Sequence, residues 1–257
     1  TKEEALPEGV ELLLKETFEA YTVGDKIAEK GAEHWTTWSK KPGGAEDGVV
    51  GELDGNKYGH FTYGNDQILK LGGYTSGVFE LEFDVYVPEG KGGYYNILHQ
   101  FEGNTSWAVQ AYFQMEEKSG EANPKISNGH GTVHAGSLNT YDVPCVYNGW
   151  MHFRVEINAN IDEAVYHYTI PGSEEVEAFK WQWSKDCFGE GVVGRKLDAM
   201  NFFPPTKGTE YYLDNITLKR FGGESAPIIT FGQESVDASM AGDDIASVEL
   251  EIENIGK

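Results

Sequence analysis

The sequence predicts an all-β protein, built as a sandwich or a barrel. The first observation is a strict alternation between residues 79 and 87, where apolar side chains at odd positions are separated by polar ones. A period of two over this length is typical of a strand with one face in a core. The second observation is a series of short apolar and aromatic runs separated by glycine-rich turns, without a convincing helical period beyond the N-terminus. This spacing is typical of sandwiches and barrels.

The predicted elements of the first half follow in chain order. Residues 1–17 place apolar side chains at a helix-like spacing, which predicts an arm or short helix lying on the domain. HWTTWS predicts a strand leading into a long loop, and HFTYGNDQILKLG predicts two strands around a Gly-Asn-Asp turn. After the alternating strand, PEGKGG turns the chain into the strands YYNILHQF and SWAVQAYFQ.

The second half predicts a meander and then two closing strands. The meander consists of WMHFRVEIN, DEAVYHYTI and VEAFKWQWS, joined by short turns. A loop then leads to LDAMNFF and finally to EYYLDNITL.

The domain boundary is predicted from a shift in composition after Phe221. The main β domain covers residues 18–222, and GGESAP reads as a linker. Residues 223–257 carry strand-like pieces, which either begin a second β domain or pack back on the first.

The charge of the 257-residue chain narrows the classes of partner. It has 20 basic and 42 acidic residues, a formal net charge of -22. A nucleic-acid binder needs a basic face, and attraction to anionic membranes needs one too, so neither partner is expected. No apolar run approaches the roughly 20 residues of a membrane-spanning helix, so membrane insertion is not expected. Divalent cations suit an acidic surface, and oxygen ligands favour calcium.

The two cysteines, Cys145 and Cys187, are predicted to be unpaired. One precedes the first strand of the meander and the other follows the third, so they lie at opposite ends of the sheet. Strands of this length span roughly 25 Å, whereas a disulfide needs Cα atoms within about 7 Å.

Several of these segments together resemble concanavalin A-like lectin/glucanase domains. They are FEAYTVGDKI, HWTTWSKKPGGAEDG, GYTSGVFELEFDVYVPEGKGGYYNILHQF, the meander, KWQWS and EYYLDNITL, over roughly residues 18–222. The chain looks most like laminin-G-like modules of secreted Bacteroidetes proteins. The resemblance implies an antiparallel jelly-roll sandwich, an extracellular or cell-surface location and a ligand groove on the concave sheet. Fold alone does not fix the activity.

Three carboxylates alternate along one strand: Glu80, Glu82 and Asp84. Alternate positions share one face at roughly 6.5–7 Å spacing, the range of some glycosidase carboxylate pairs. Laminarinase-type glucanases of this fold use a Glu-x-Asp-x-(x)-Glu strand, whereas the order here is Glu-x-Glu-x-Asp. These residues are the catalytic candidates if the protein is an enzyme. The alternative is an acidic solvated face.

Glu19 and Asp214 are the candidate metal ligands. The first and last strands of such sandwiches usually pair, which brings the two carboxylates together. Many sugar-binding jelly rolls carry a structural calcium near such a pair, and Asp25 or nearby carbonyls would complete the oxygen shell. The alternative is that both side chains bind loop backbone.

A glycan platform is predicted next to the acidic strand, because sugar rings stack on aromatic faces while carboxylates and amides hold hydroxyls. The alternative is that the aromatic residues are core. The candidate ligand-binding residues are Trp107, Tyr95, Gln110, Tyr112, His99 and Glu82.

The function predicted from these observations is a non-catalytic extracellular glycan-binding or adhesion module, with a polysaccharide or cell-surface glycan as partner. The alternative is a glycoside hydrolase or polysaccharide lyase of laminarinase-like fold, and a purely structural spacer is a third. A cleft holding the acidic strand and a second carboxylate would favour the enzyme. An aromatic platform without such a pair would favour binding.

Overall fold

The computed structural model describes residues 6–113, 129–189 and 191–222, together with the backbone of two short strands in the C-terminal segment. Among these residues no helix is long and apolar enough to span a membrane.

The regular elements are almost all strands. In chain order they are β1 (Val10–Glu16), α1 (Ile27–Lys30), β2 (Trp35–Thr37), β3 (Val49–Leu53), β4 (Asn56–Thr62), β5 (Gln67–Tyr74), β6 (Val78–Tyr86), β7 (Gly93–Gln100), β8 (Ser106–Phe113), β9 (His130–Ala135), β10 (Asn139–Pro144), β11 (Trp150–Asn158), β12 (Glu163–Thr169), β13 (Val176–Gln182), β14 (Leu197–Phe202), β15 (Glu210–Phe221), β16 (Ile229–Phe231) and β17 (Ile252–Asn254).

Two antiparallel sheets pack face to face. The first sheet has the strand order β13-β12-β11-β6-β15-β4-β3, with β1 added along the second half of β15. The second sheet has the order β10-β9-β8-β7-β14-β5-β2. The predicted fold class, an all-β antiparallel jelly-roll sandwich, is confirmed. The predicted meander is confirmed as well, because β11, β12 and β13 are consecutive neighbours.

The core lies between the sheets and is built by the alternation seen in the sequence. The odd positions of β6 are buried, and its even positions face away from the core. Phe83 of the first sheet meets Tyr95 of the second at 4.8 Å between ring centroids. On the second sheet, Ile97, Ala111 and Met200 point into the same core. Alternation therefore turns their strand neighbours to the outer face.

The N-terminal segment was predicted to be an arm or a short helix, and the helix is wrong. Val10–Glu16 is a strand, not a helix, and it pairs antiparallel with Ile216–Phe221. The first half of β15 is occupied on the same side by β4. Its second half therefore leaves an open row of backbone groups, and pairing with β1 satisfies them.

The C-terminal segment contains one described pairing, between β16 and β17, which form a two-stranded sheet of their own. The rest of this segment lies outside the described residues. Its assignment to a second domain or to the first stays a prediction.

The cysteine prediction is confirmed. Cys145 and Cys187 are both buried and unpaired thiols. Burial raises the pKa of both, to about 12 for Cys145. Both thiols are therefore held protonated and unreactive at neutral pH.

Candidate functional site

A cleft of about 260 Å³ opens on the outer face of the second sheet. Its floor comes from neighbouring strands β7, β8 and β14, and its walls come from loops and strand ends. The described residues that line it are Trp38, Asp66, Tyr94, Asn96, Trp107, Gln110, Tyr112, Phe188, Asn201, Phe203 and Pro205.

The floor is a hydrogen-bonded group of polar side chains centred on the Tyr94 hydroxyl. The Asn96 amide donates to Tyr94 Oη at 2.9 Å, and the Gln110 amide donates to the same oxygen at 2.7 Å. Asn96 Nδ2 also donates to Asn201 Oδ1 at 2.9 Å. Because the hydroxyl oxygen accepts two bonds, its own proton is left to donate. This network fixes the orientation of every amide in the floor.

Asp66 lies at one end of this network. Asn201 Nδ2 donates to Asp66 Oδ1 at 2.7 Å and to the backbone oxygen of Gln67 at 3.1 Å. Burial raises the pKa of Asp66 to about 7, although the Asn201 bond opposes the rise and the charge of Glu46 adds to it. The carboxyl group therefore changes charge near neutral pH.

Aromatic side chains form the walls. Trp107 meets Phe188 edge-on at 5.6 Å, and Trp38 meets Phe101 at 5.4 Å. Phe188 is 48% exposed, which is unusual for so large an apolar side chain. Beneath the tryptophans lies a small apolar cluster of the outer face, made of Ile68, Leu98 and Ala199. The walls are thus supported by packing.

Three of the six predicted ligand-binding residues come together in the cleft: Trp107, Gln110 and Tyr112. They lie on β8, two of them at alternate positions of the strand. The other three lie elsewhere.

Tyr95 and His99 point away from the cleft. Tyr95 is fully buried in the core, where its hydroxyl hydrogen-bonds that of Tyr166. His99 Nε2 hydrogen-bonds the backbone oxygen of Trp183 at 2.6 Å, and burial lowers its pKa. The register shifts around Leu98 place this histidine against Trp183. Both side chains are structural.

The acidic strand faces outward from the first sheet, on the opposite side of the sandwich from the cleft. Glu80 contacts Arg154 at 3.3 Å and Lys219 at 3.0 Å, and Glu82 contacts Lys219 at 2.5 Å. Asp84 Oδ1 hydrogen-bonds His152 Nδ1 at 2.7 Å. These carboxylates are compensated by cross-strand cations and form an ion-paired outer face, which differs from the acidic solvated face that the sequence offered as the alternative.

This ion-paired face shifts two pKa values in opposite directions. The hydrogen bond to Asp84 and the Glu82 carboxylate, 3.7 Å from the other ring nitrogen, raise the pKa of His152 to about 9. Contacts with His152 and Lys219 lower the pKa of Glu82 to about 2, against the effect of burial. Both shifts favour the charged pair in the folded state.

His152 should therefore make stability depend on pH. Its pKa is raised from 6.5 to about 9, so its contribution is complete below pH 6.5 and is lost as pH rises through 9. Between these limits we expect the free energy of unfolding of wild type to fall, relative to that of His152→Gln, by of the order of 1 kcal/mol. The change is this small because solvent screens the partly exposed pair. Urea unfolding of both proteins across this range measures the difference. Parallel pH profiles would contradict the prediction.

Glu19 and Asp214 lie near the junction of β1, β4 and β15. Asp214 accepts from the Asn56 amide at 2.9 Å and from the Asn215 backbone at 2.7 Å, and Glu19 accepts from the Lys57 backbone at 2.9 Å. Burial, with the charges of Asp84 and Glu19, raises the pKa of Asp214 to about 6. Within the described ranges no group of three His, Cys, Asp or Glu side chains is arranged to hold a metal ion. Backbone oxygens and water would have to supply the rest of a calcium shell.

Sequence reasoning did not single out Asp66, Asn96 or Asn201. The sequence predicts only a turn at Asp66. The signal for the two asparagines is their position: each is a lone amide within an otherwise apolar strand, in YYNIL and AMNFF. A buried amide in such a strand needs partners, which marks a polar face.

No family model matches the chain, and no curated protein matches it either. Solved structures do. The catalytic domain of a glycoside hydrolase family 131 protein from Coprinopsis cinerea is 10% identical, with a TM-score of 0.49, over 80% of this chain and 93% of that one.

Two further similar structures are sugar complexes. Domain 4 of an extracellular family 43 arabinanase from Geobacillus stearothermophilus, with arabinotriose, is 12% identical with a TM-score of 0.47, over 83% of this chain and 94% of that one. Basic winged bean lectin with Tn-antigen is 9% identical with a TM-score of 0.48, over 82% and 98%.

Proposed function

We propose that this sandwich is a non-catalytic saccharide-binding module whose cleft on the second sheet holds the sugar. The observation that carries the proposal is a polar, hydrogen-bonded floor set between aromatic walls. The laminin-G-like character, a role in adhesion, and an extracellular or cell-surface location belong to the same proposal, as the sequence resemblance implies.

The cleft suits the two-sided chemistry of a sugar ring. Ring C–H groups pack on aromatic faces, which Trp38, Trp107 and Phe188 offer at the walls. Ring hydroxyls bond to side-chain amides and carboxyl groups, which the floor offers. The volume of about 260 Å³ is just below the roughly 300–1,000 Å³ of drug-sized sites. We therefore expect one or two sugar residues, such as a chain end, to be held.

The test is binding to a printed panel of oligosaccharides and polysaccharides, paired with a reducing-sugar assay on the same panel. We expect binding to a subset of saccharides, competed by the free sugar, with no release of reducing ends. Failure to bind any saccharide, or release of reducing ends, would overturn the proposal.

The alternative of a hydrolase or lyase is less well supported. One observation favours it, since Asp66 has a pKa of about 7 and is suited to proton transfer. Glycoside hydrolysis in most families needs a second carboxylate about 5–10 Å away. Asp66 is the only carboxylate among the described residues that line the cleft. If wild type releases reducing ends and Asp66→Asn does not, the enzyme is the correct reading.

We also propose that Glu19 and Asp214 contribute to a structural calcium site. The charge of Glu19 raises the pKa of Asp214, and a cation between them would relieve that repulsion. At ten times its Kd, calcium would then stabilise the fold by roughly 1.4 kcal/mol. Thermal melts with calcium or EDTA should differ for wild type and coincide for Asp214→Asn. Identical wild-type melts would count against the site.

A further inference from the structure

The described residues that line the cleft carry charge of only one sign. No lysine or arginine is found among the described lining residues, whereas Asp66 is part of the floor. Glu46 is close enough for its charge to raise the pKa of Asp66. On the opposite wall, Asp186 accepts from the backbone of Trp107 at 3.2 Å and of Phe188 at 2.7 Å. Carboxyl groups therefore lie on two sides of the cleft.

Three lysines line a neighbouring pocket on the same sheet, together with Phe101, and all three are already engaged. Lys40 pairs with Glu102 at 2.7 Å, and Lys196 pairs with Asp198 at 3.1 Å. Lys70 donates to a backbone oxygen at 3.0 Å. None of the three lines the cleft itself, so none is placed to neutralise an anion held there.

The hydrogen-bond polarity of the floor agrees with its charge. Asn96, Gln110 and Asn201 direct their amide N–H groups at one another, at Tyr94 and at Asp66. The side-chain oxygens of Asn96 and Gln110, both more than nine-tenths buried, have no partner among the described residues. The floor therefore has unpaired acceptors, and Asn96 and Asn201 use both of their amide hydrogens internally, so only one N–H of Gln110 and the Tyr94 hydroxyl remain as donors. A carboxylate or sulfate can only accept, whereas a hydroxyl can also donate.

We propose that the cleft selects uncharged, hydroxyl-rich saccharides and rejects sugars that carry a carboxylate or sulfate. This inference rests on the proposed function and specifies its ligand class. An anionic substituent in the cleft would lie near Asp66 with no compensating cation and few donors, which costs free energy in a partly desolvated site.

The experiment uses acidic polysaccharides, each printed in its native form and after chemical reduction of its carboxylates to primary alcohols. Each pair shares its linkages and differs only in charge at that carbon. Neutral oligosaccharides are printed alongside. At pH 8 we expect reduced or neutral forms to bind roughly tenfold or more tightly than native acidic forms. Equal or tighter binding of the acidic forms would overturn the inference and leave saccharide binding in place. Binding of none of the printed saccharides, the neutral oligosaccharides included, would overturn both the inference and the proposed function.

Two variants locate the source of the selectivity. Asp66→Asn should reduce the difference within each pair severalfold, because it removes the charge and keeps an oxygen for Asn201. Lys70→Met, in the neighbouring pocket, should leave the difference as in wild type. A difference unchanged by Asp66→Asn, or removed by Lys70→Met, would show that the cleft does not impose the selection.

Discussion

Replacing Trp107 by alanine should weaken saccharide binding roughly 30-fold, or about 2 kcal/mol. Trp107 lies at the edge of the cleft, half-buried, with its ring against Phe188. Truncation removes the flat surface on which a sugar ring would stack, and it leaves Phe188 without its partner. Isothermal titration with a saccharide taken from the binding panel measures the loss.

Trp150→Ala is the matched control for Trp107→Ala. Trp150 is also a half-buried tryptophan, but it lies on β11 of the first sheet, with its ring 5.4 Å from that of Tyr86. We expect its variant to bind as wild type does. Equal losses for the two variants, or none for Trp107→Ala, would place the sugar outside this cleft.

Replacing Phe83 by alanine should lower the free energy of unfolding by roughly 4 kcal/mol. Phe83 is fully buried at the centre of β6, and its ring lies 4.8 Å from Tyr95 and 5.7 Å from Phe153. The variant would lose these contacts and leave a cavity that rings from both sheets surround. Urea unfolding at fixed pH measures the change.

Tyr63→Ala is the control for this stability prediction. Tyr63 follows β4 and is 55% exposed, so truncation of its ring should change the free energy of unfolding by only about 0.5 kcal/mol. A loss below about 1 kcal/mol for Phe83→Ala would mean that the interface between the sheets can close around the missing ring.

Much of the fold could be predicted because its central strands have one buried face and one solvent-facing face. The odd and even positions of β6 and β11 alternate between the core and the ion-paired surface. The sequence shows the same alternation, which indicates a strand with one buried face. The conformation of β1, in contrast, could not be predicted from its local sequence. VELLLKE carries a helix-like spacing, but the open edge of β15 decides its conformation, and that edge comes from the far end of the chain. Tertiary pairing therefore overrides local preference.

The candidate site was only half predictable because the strands of its floor, β7, β8 and β14, are buried at almost every position. In β7, Tyr94 and Tyr95 are adjacent aromatic residues, and sequence alone does not say which one faces the core. The structure turns Tyr95 inward and leaves Tyr94 to organise the floor. Asp66 comes from a turn, and only the approach of Asn201 from a distant strand gives it a role. Such partnerships depend on long-range topology.

The pairing of β1 with β15 has a mechanical consequence. Val10 lies opposite Phe221, and Gly222 donates to Gly9 at 2.7 Å, so the chain enters and leaves the sandwich at one corner. Tension between the two flanking segments would open this ladder one pair at a time, as a zipper opens, instead of loading all its bonds together. The described residues that line the cleft belong to neither strand. Under a modest pull, β1 would peel away first while the cleft on the other sheet kept its shape.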